Sequence, residues 1–438
     1  MNRHNCIDAV IKDLRDTYPD ALRAFALIIV VFGHWFATLP RLDDGLMVET
    51  DHLLKVWPNA GILTWFVQVV PLFIFVSAAV SADGVARRLQ DGHAQLHWWA
   101  GRALKLARPT LTYLAAIAAF VVLAIYTGGR LLGPLDESLT VHLWFLIMLL
   151  IVQALLPLSY RADQRFGLGA VSGLVVLAAV IDLTRAAPSS VQDLLELGTR
   201  TGRGASGIGW LNALVVWLIP QQLGIAWKHG RFRGSLVGLG LIVFGLVWLA
   251  ASVASGYSMA MVGIDFEGRS NMLPPTLALI GVMWFQVGAV LLCERPARWL
   301  LERHSVRRTV GVLGALGMPL YLWHKLAELP AAWLGERLQL PIDAGLPGSP
   351  GFWAGRLWWL GLCTLMVVPV IAIVVKFELG RKRDVSPTTS NPAILTGGFA
   401  LLAGLITALV LGAMPGALIG LTGVIAASQL LRKSNRAQ

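Results

Sequence analysis

Apolar runs of about 18 to 22 residues recur along the whole chain, and no other feature narrows its fold as far. Each run is long enough to cross a hydrocarbon layer of ~30 Å at ~1.5 Å per helical residue. Hydrophobic residues make up 56% of the chain and charged residues 14%, against roughly 25% charged in soluble domains. The chain therefore reads as all-α, a polytopic transmembrane helix bundle of about 10–12 spans. Twelve are placed, at roughly 21–39, 61–82, 109–127, 140–158, 168–184, 209–227, 235–256, 273–293, 310–330, 353–376, 393–411 and 415–431. Between the last two, Met414-Pro415-Gly416 is either a turn joining two short helices or a kink in a re-entrant segment.

Basic residues set the orientation. Counting residues at span edges with the adjoining loop, inner segments hold 25 of the 36 lysines and arginines and outer segments 9, leaving Arg23 and Lys325 within spans. That bias follows the positive-inside rule, so both termini are expected in the cytoplasm and the chain in the plasma (inner) membrane. Residues 1–20 carry Arg3, Lys12, Arg15 and four aspartates, which suits a cytoplasmic tail better than a cleavable signal. The division is then a tail at 1–20, a membrane domain at 21–377, a cytoplasmic linker at 378–392, a hairpin at 393–431 and a tail at 432–438. The net charge of +11 is largely this topological signal and implies no nucleic-acid partner. Cys6, Cys293 and Cys363 are too few for a disulfide framework and read as packing residues. There is no phosphate-binding glycine loop, dinucleotide fingerprint or internal repeat, so chemistry must sit among the helices.

The stretch "DALRAFALIIVVFGHW" buries two ionisable groups in its first span. Eleven residues at 100° each make three turns plus about 20°, so Arg23 and His34 share one stripe, ~16 Å apart along the axis. Ionisable residues within a span are costly and mark sites or pathways by default. The plainer alternative is a snorkelling arginine and a histidine of the interfacial aromatic belt.

"PDALRAFALIIVVFGHW" resembles the first helix of the acyltransferase-3 family of integral membrane acyltransferases, whose signature is an arginine, ten residues and a histidine, here Arg23 and His34. "PLFIFVSAAVS", "HLWFLIMLLIVQALLPL" and "MPLYLWHKL" resemble later segments in the same order, and "SNMLPPTLALI" is similar to a form in some members. "FVSAAVS" departs from the pattern in lacking a glycine after the serine, and 393–431 lies outside the core. The resemblance implies transfer of an acyl group, often acetyl, from cytoplasmic acyl-CoA as co-substrate, with no tightly bound cofactor and no metal. The acceptor would be a hydroxyl or amine of a carbohydrate, glycolipid or small natural product, as in O-acetylation of cell-envelope polysaccharide.

An imidazole, with an ordinary pKa of about 6.5, suits the removal of an acceptor proton, so His34 is the expected general base and Arg23 its partner in catalysis. A transient acyl-histidine stays open as the alternative. For the CoA phosphates, Arg102, Lys105 and Arg108 fall at i, i+3 and i+6 after Arg87-Arg88, and Arg88 joins them as a candidate. A merely anchoring basic loop would look the same, and Arg295 to Arg308 competes. Trp144, Asn271, Trp323 and His324 are candidates for the acceptor pocket. His142, Asp265, Glu267 and Lys325 also fall nearby, the first as an interfacial residue, the next two as ordinary loop charges, and Lys325 within i+3 of Glu328. A proton-coupled transporter is the alternative function, weakened by the lack of internal symmetry.

Overall fold

The computed structural model describes residues 16–43, 46–90, 95–126, 138–183, 207–263, 270–343, 347–379 and 390–432. Asp265, Glu267, Cys6, the linker over 380–389 and most of both tails lie outside the described residues. Helix dominates because a segment in lipid must satisfy its backbone polar groups internally.

Helix α1 (Tyr18–Ala37) takes up Pro19 in its first turn, where a missing N–H is harmless, and Asp20, which favours the positive end of the helix dipole. It runs straight into a two-stranded antiparallel hairpin, β1 (Thr38–Asp43) and β2 (Leu46–His52), bulged between Arg41 and Leu42. The sequence reading treats this stretch as a plain loop. Arg41 closes the hairpin with two bonds to Asp51 Oδ2, at 3.0 and 2.9 Å. Short turns lead to α2 (Val70–Gln90), then α3 (Gln95–Tyr126), α4 (Leu143–Ala154) and α5 (Leu156–Phe166), the last two bent by 50° at Leu155. There follow α6 (Leu168–Leu183), α7 (Asn212–Lys228), α8 (Ser235–Ala254), α9 (Ala278–Leu301) and α10 (His304–Trp323). After a single 3-10 turn over His324–Ala327 come α11 (Glu328–Arg337), α12 (Pro350–Leu379), α13 (Asn391–Leu411) and α14 (Leu418–Leu430).

Among the described residues, eight helical stretches are long and apolar enough to cross a membrane, and the bent α4–α5 pair makes a ninth. The eighth, Asn391–Leu430, contains both α13 and α14. Helix α6 is short at 16 residues. With α10, which opens on His304, Arg307 and Arg308, these account for the twelve runs. The chain is a multi-pass membrane protein.

Small residues let the helices close up, since lipid supplies no hydrophobic drive between them. A Cβ on Gly245 of α8 would stand 2.7 Å from the Gly281 carbonyl of α9, and one on Gly404 of α13 would stand 2.7 Å from the Gly420 carbonyl of α14. The final segments therefore form an antiparallel hairpin, turned by a non-helical Met414 within Gly412–Ala417. This hairpin packs on α3 and α4, with Gly398 set against the ring of Trp99.

Candidate active site

Along α1, Asp20, Arg23, Ala24, Leu27, Val30 and His34 border one cavity of ≈ 2120 Å³. Arg23 and His34 open into this same space, which in the second half of α1 also wraps round to Ile29, Phe32 and Phe36. Helix α10 faces it with Gly311, Gly314 and Gly317; a Cβ on either of the first two would meet nothing within 4 Å. At the far end the wall is built from Thr50, Asp51 and His52 of β2 and from Leu409 to Gly412 at the tip of the last hairpin.

His34 Nδ1 lies 2.9 Å from Nε2 of His324, and the two rings stack with centroids 5.1 Å apart. His324 Nδ1 lies 2.8 Å from the Tyr321 carbonyl oxygen. A carbonyl can only accept, so the neutral His324 carries its proton on Nδ1 and offers the Nε2 lone pair to His34. His34 then carries its proton on Nδ1, which leaves Nε2 with a free lone pair. The sequence reading expects an orienting partner for His34 without singling one out, and the fold supplies His324 from 290 residues away. His324 is fixed in turn: Trp35 Nε1 donates to its carbonyl at 3.0 Å, and Trp359 Nε1 donates to the Trp35 carbonyl at 2.9 Å.

Beside this pair, Lys325 Nζ donates to Glu328 Oε1 at 2.7 Å and to Thr38 Oγ1 at 3.0 Å, and Thr38 Oγ1 lies 3.0 Å from the His34 carbonyl. Lys325 and Glu328 are both buried, and each charge depends on the other, because stranding one in a low-dielectric interior costs about 3–5 kcal/mol. Arg356, 3% exposed, ties β1 and the chain after α11 together through the Thr38 and Ile342 carbonyls at 2.6 and 2.8 Å. His52 accepts from the Leu54 N–H at 3.2 Å, and burial, followed by the Lys325 and Lys55 charges, pulls its imidazole down to about 4.

Several expected positions fall elsewhere. Trp144 borders the cavity, whereas Asn271, Trp323 and His324 do not. The Asn271 amide is committed to the Ser258 and Ala260 carbonyls at 2.6 and 3.0 Å, and its oxygen accepts from Thr276. Trp323 packs edge-on against Tyr113 in the core, and His324 stands behind His34.

The basic cluster is also dispersed. Steps of three residues on a helix each fall 60° short of a full turn, so Arg102, Lys105 and Arg108 spread over about 120° of α3. Arg102 turns inward, donates to Ser81 Oγ at 2.7 Å and lies 4.5 Å over Trp98. Lys105 and Arg88 are exposed, Arg108 is half-buried, and none of the four borders the cavity. Arg102 does come close enough to Arg23 for the two guanidiniums to repel, at an end of the cavity where Arg23 also contacts Asp20 at 3.4 Å. In the competing loop, Arg298 is held by Asp16 at 2.8 Å and Glu294 at 2.9 Å.

Thr38, Tyr321, the β2 residues and the α13 tip were not anticipated from sequence. Three glycines within seven residues, Gly311, Gly314 and Gly317, were a readable signal for a stretch of helix poor in side chains. Among the described residues no group of three or more His, Cys, Asp or Glu side chains is placed to hold a metal ion.

The fold is that of a multi-span membrane helical bundle, with a histidine pair beside a cavity between its helices. A family model described as an acyltransferase domain, that of the acyltransferase-3 family, matches residues 16–375, most of the chain. The chain belongs to this family and is a membrane acyltransferase, which displaces the transporter alternative. Comparisons with curated proteins and with solved structures returned no match.

Proposed function

We propose that the protein transfers an acyl group, acetyl in the simplest case, from cytoplasmic acyl-CoA to a hydroxyl or amine of a carbohydrate, glycolipid or small natural product. The observation that carries this reading is the His34–His324 pair, which leaves one basic nitrogen on a cavity that also reaches Arg23. The extended pantetheine arm, on the order of 15–20 Å, matches the ~16 Å rise between Arg23 and His34. Arg23, with Arg102 close by, would meet the phosphates at the cytoplasmic end while the thioester reaches His34.

In the chemical step, His34 Nε2 takes the proton of the acceptor O–H or N–H as that atom attacks the thioester carbonyl. The tetrahedral intermediate collapses with cleavage of the C–S bond, and the leaving thiolate recovers the proton from the His34 imidazolium. Ester or amide and free CoA thiol result, with no net proton change on the enzyme. His324 would accept the Nδ1–H bond throughout and stabilise the imidazolium. Orientation with both termini inside, in the plasma membrane, agrees with the basic-residue bias. Donor and acceptor would then approach from opposite ends of one cavity.

The test uses purified full-length protein, acetyl-CoA and acceptors extracted from envelope glycans, lipids and secreted metabolites of the producing cells, with thiol release and acyl-mass gain as readouts. Wild type is expected to release thiol and add an acetyl mass, and His34→Ala to lose both while keeping its melting temperature. Near-normal turnover in His34→Ala would sink the assignment.

A further inference from the structure

His142 borders the same cavity as His34, from the residue that precedes α4. It is 1% exposed, yet neither ring nitrogen has a hydrogen-bond partner. The main chain of Ser138 and Leu322 approaches the ring but falls short of hydrogen-bond geometry. Its other neighbours are aromatic: Tyr113 and Tyr321 meet it edge-on at 5.4 and 5.6 Å, and the His324 ring lies 5.8 Å away. Both tyrosine hydroxyls are spoken for, Tyr113 by the Leu139 carbonyl at 2.6 Å and Tyr321 by the carbonyl of His142 itself. A buried polar group left unpaired is destabilising, and native proteins keep few of them. An imidazole in this state on a substrate cavity suits a partner that arrives from the cavity.

Acyl transfer needs a hydrogen-bond donor at the thioester oxygen, where negative charge builds up. The polar groups around His34 are largely engaged otherwise. His324 uses both ring nitrogens, and Lys325 spends two of its three N–H bonds on Glu328 and Thr38, which hold the ammonium beside the Thr38 end of the wall. A neutral imidazole always carries one N–H to give.

We propose that His142 is a second catalytic residue, whose ring N–H donates to the carbonyl oxygen of the donor thioester and holds that bond as the oxygen becomes the oxyanion of the tetrahedral intermediate. The proton stays on His142 throughout, and collapse restores the C=O as the C–S bond breaks. This rests on the acyl-transfer reading above.

The test compares wild type, His142→Phe, which keeps the ring shape without the donor, and His142→Gln, which restores an N–H. Thiol release from acetyl-CoA is measured with the same acceptor extract, and isotope-edited infrared spectra are taken of bound ¹³C-carbonyl acetyl-CoA without acceptor. His142→Phe is expected to lower kcat by about 10²–10³-fold, with KM for acetyl-CoA within about threefold of wild type. His142→Gln is expected to recover at least about tenfold of that loss. The carbonyl band should sit at lower frequency in wild type than in His142→Phe. Turnover of a folded His142→Phe within about threefold of wild type, or a carbonyl band that does not move, overturns the proposal, as does a loss that His142→Gln leaves unrelieved. A wild type that releases no thiol is a different failure: it overturns acyl transfer from CoA, and this proposal with it.

Discussion

The His34–His324 contact shows how one hydrogen bond decides which nitrogen of a base is available. Replacing His324 with phenylalanine keeps the stack but frees His34 to rotate and change tautomer. Misplacing a base in this way costs about 10–100-fold in rate, so kcat for thiol release should fall by that factor in His324→Phe with donor KM little changed. An equal fall in His324→Gln, whose amide oxygen can accept from His34, would speak against the orienting role. His52 gives a residue-scale prediction about pH. Its folded-state pKa, about 4, lies below the ordinary 6.5, chiefly through burial. The unfolded chain therefore binds the proton more readily, and the stabilisation is present above pH ~6.5 and lost as pH falls towards 4. At full size the effect is on the order of a few kcal/mol. Thermal melts of wild type should drop over that window more than those of His52→Gln; parallel curves would refute the assignment.

At the scale of the element, α10 combines two properties. It lies against α1 while presenting Gly311, Gly314 and Gly317 to the cavity, and it ends at the 3-10 turn that delivers His324 and Lys325. Glycine within a helix costs about 0.5–1 kcal/mol relative to alanine, so glycines on this open face leave space at the expense of helix stability. Gly314→Leu is expected to raise the melting temperature or leave it unchanged while raising donor KM at least about tenfold, because the added side chain occupies the path proposed for the pantetheine arm. Unaltered KM would place the donor elsewhere. The helix pattern around these residues was readable from apolar run lengths, and the break at His324 was not. A 3-10 turn of four residues leaves no periodicity of its own, and the Lys325–Glu328 pair at i+3 looks the same in a continuous helix. The β1–β2 hairpin was missed for a similar reason: its strands are short and polar, and it is held by Arg41, Asp51 and the distant Arg356.

On the scale of the whole molecule, the cavity joins an arginine end to a histidine end, and the bundle around it includes the last hairpin, although the family match stops at residue 375. Leu409 to Gly412 close the wall near Ser138 and His142, so this hairpin helps shape the space next to the proposed chemistry. Arg23→Ala is expected to weaken CoA binding at least about tenfold by calorimetry, the loss of a charge-assisted phosphate contact, without lowering folded yield. Unchanged affinity would reduce Arg23 to an interfacial anchor.

Run length, charge bias and the 100° step per residue were enough to specify a multi-span bundle and to put Arg23 and His34 on one stripe, because these are properties of a single helix in lipid. Partners across helices were beyond that arithmetic. Which ring faces His34, that Asn271 and Trp323 turn into the packing, that Arg102 turns inward while Lys105 turns out, and that His142 keeps two unpaired nitrogens beside the cavity all depend on how helices far apart in the chain rotate against one another. Close packing sets that rotation through contacts between side chains as far apart in the chain as Phe36 and Trp353, and no local pattern records it.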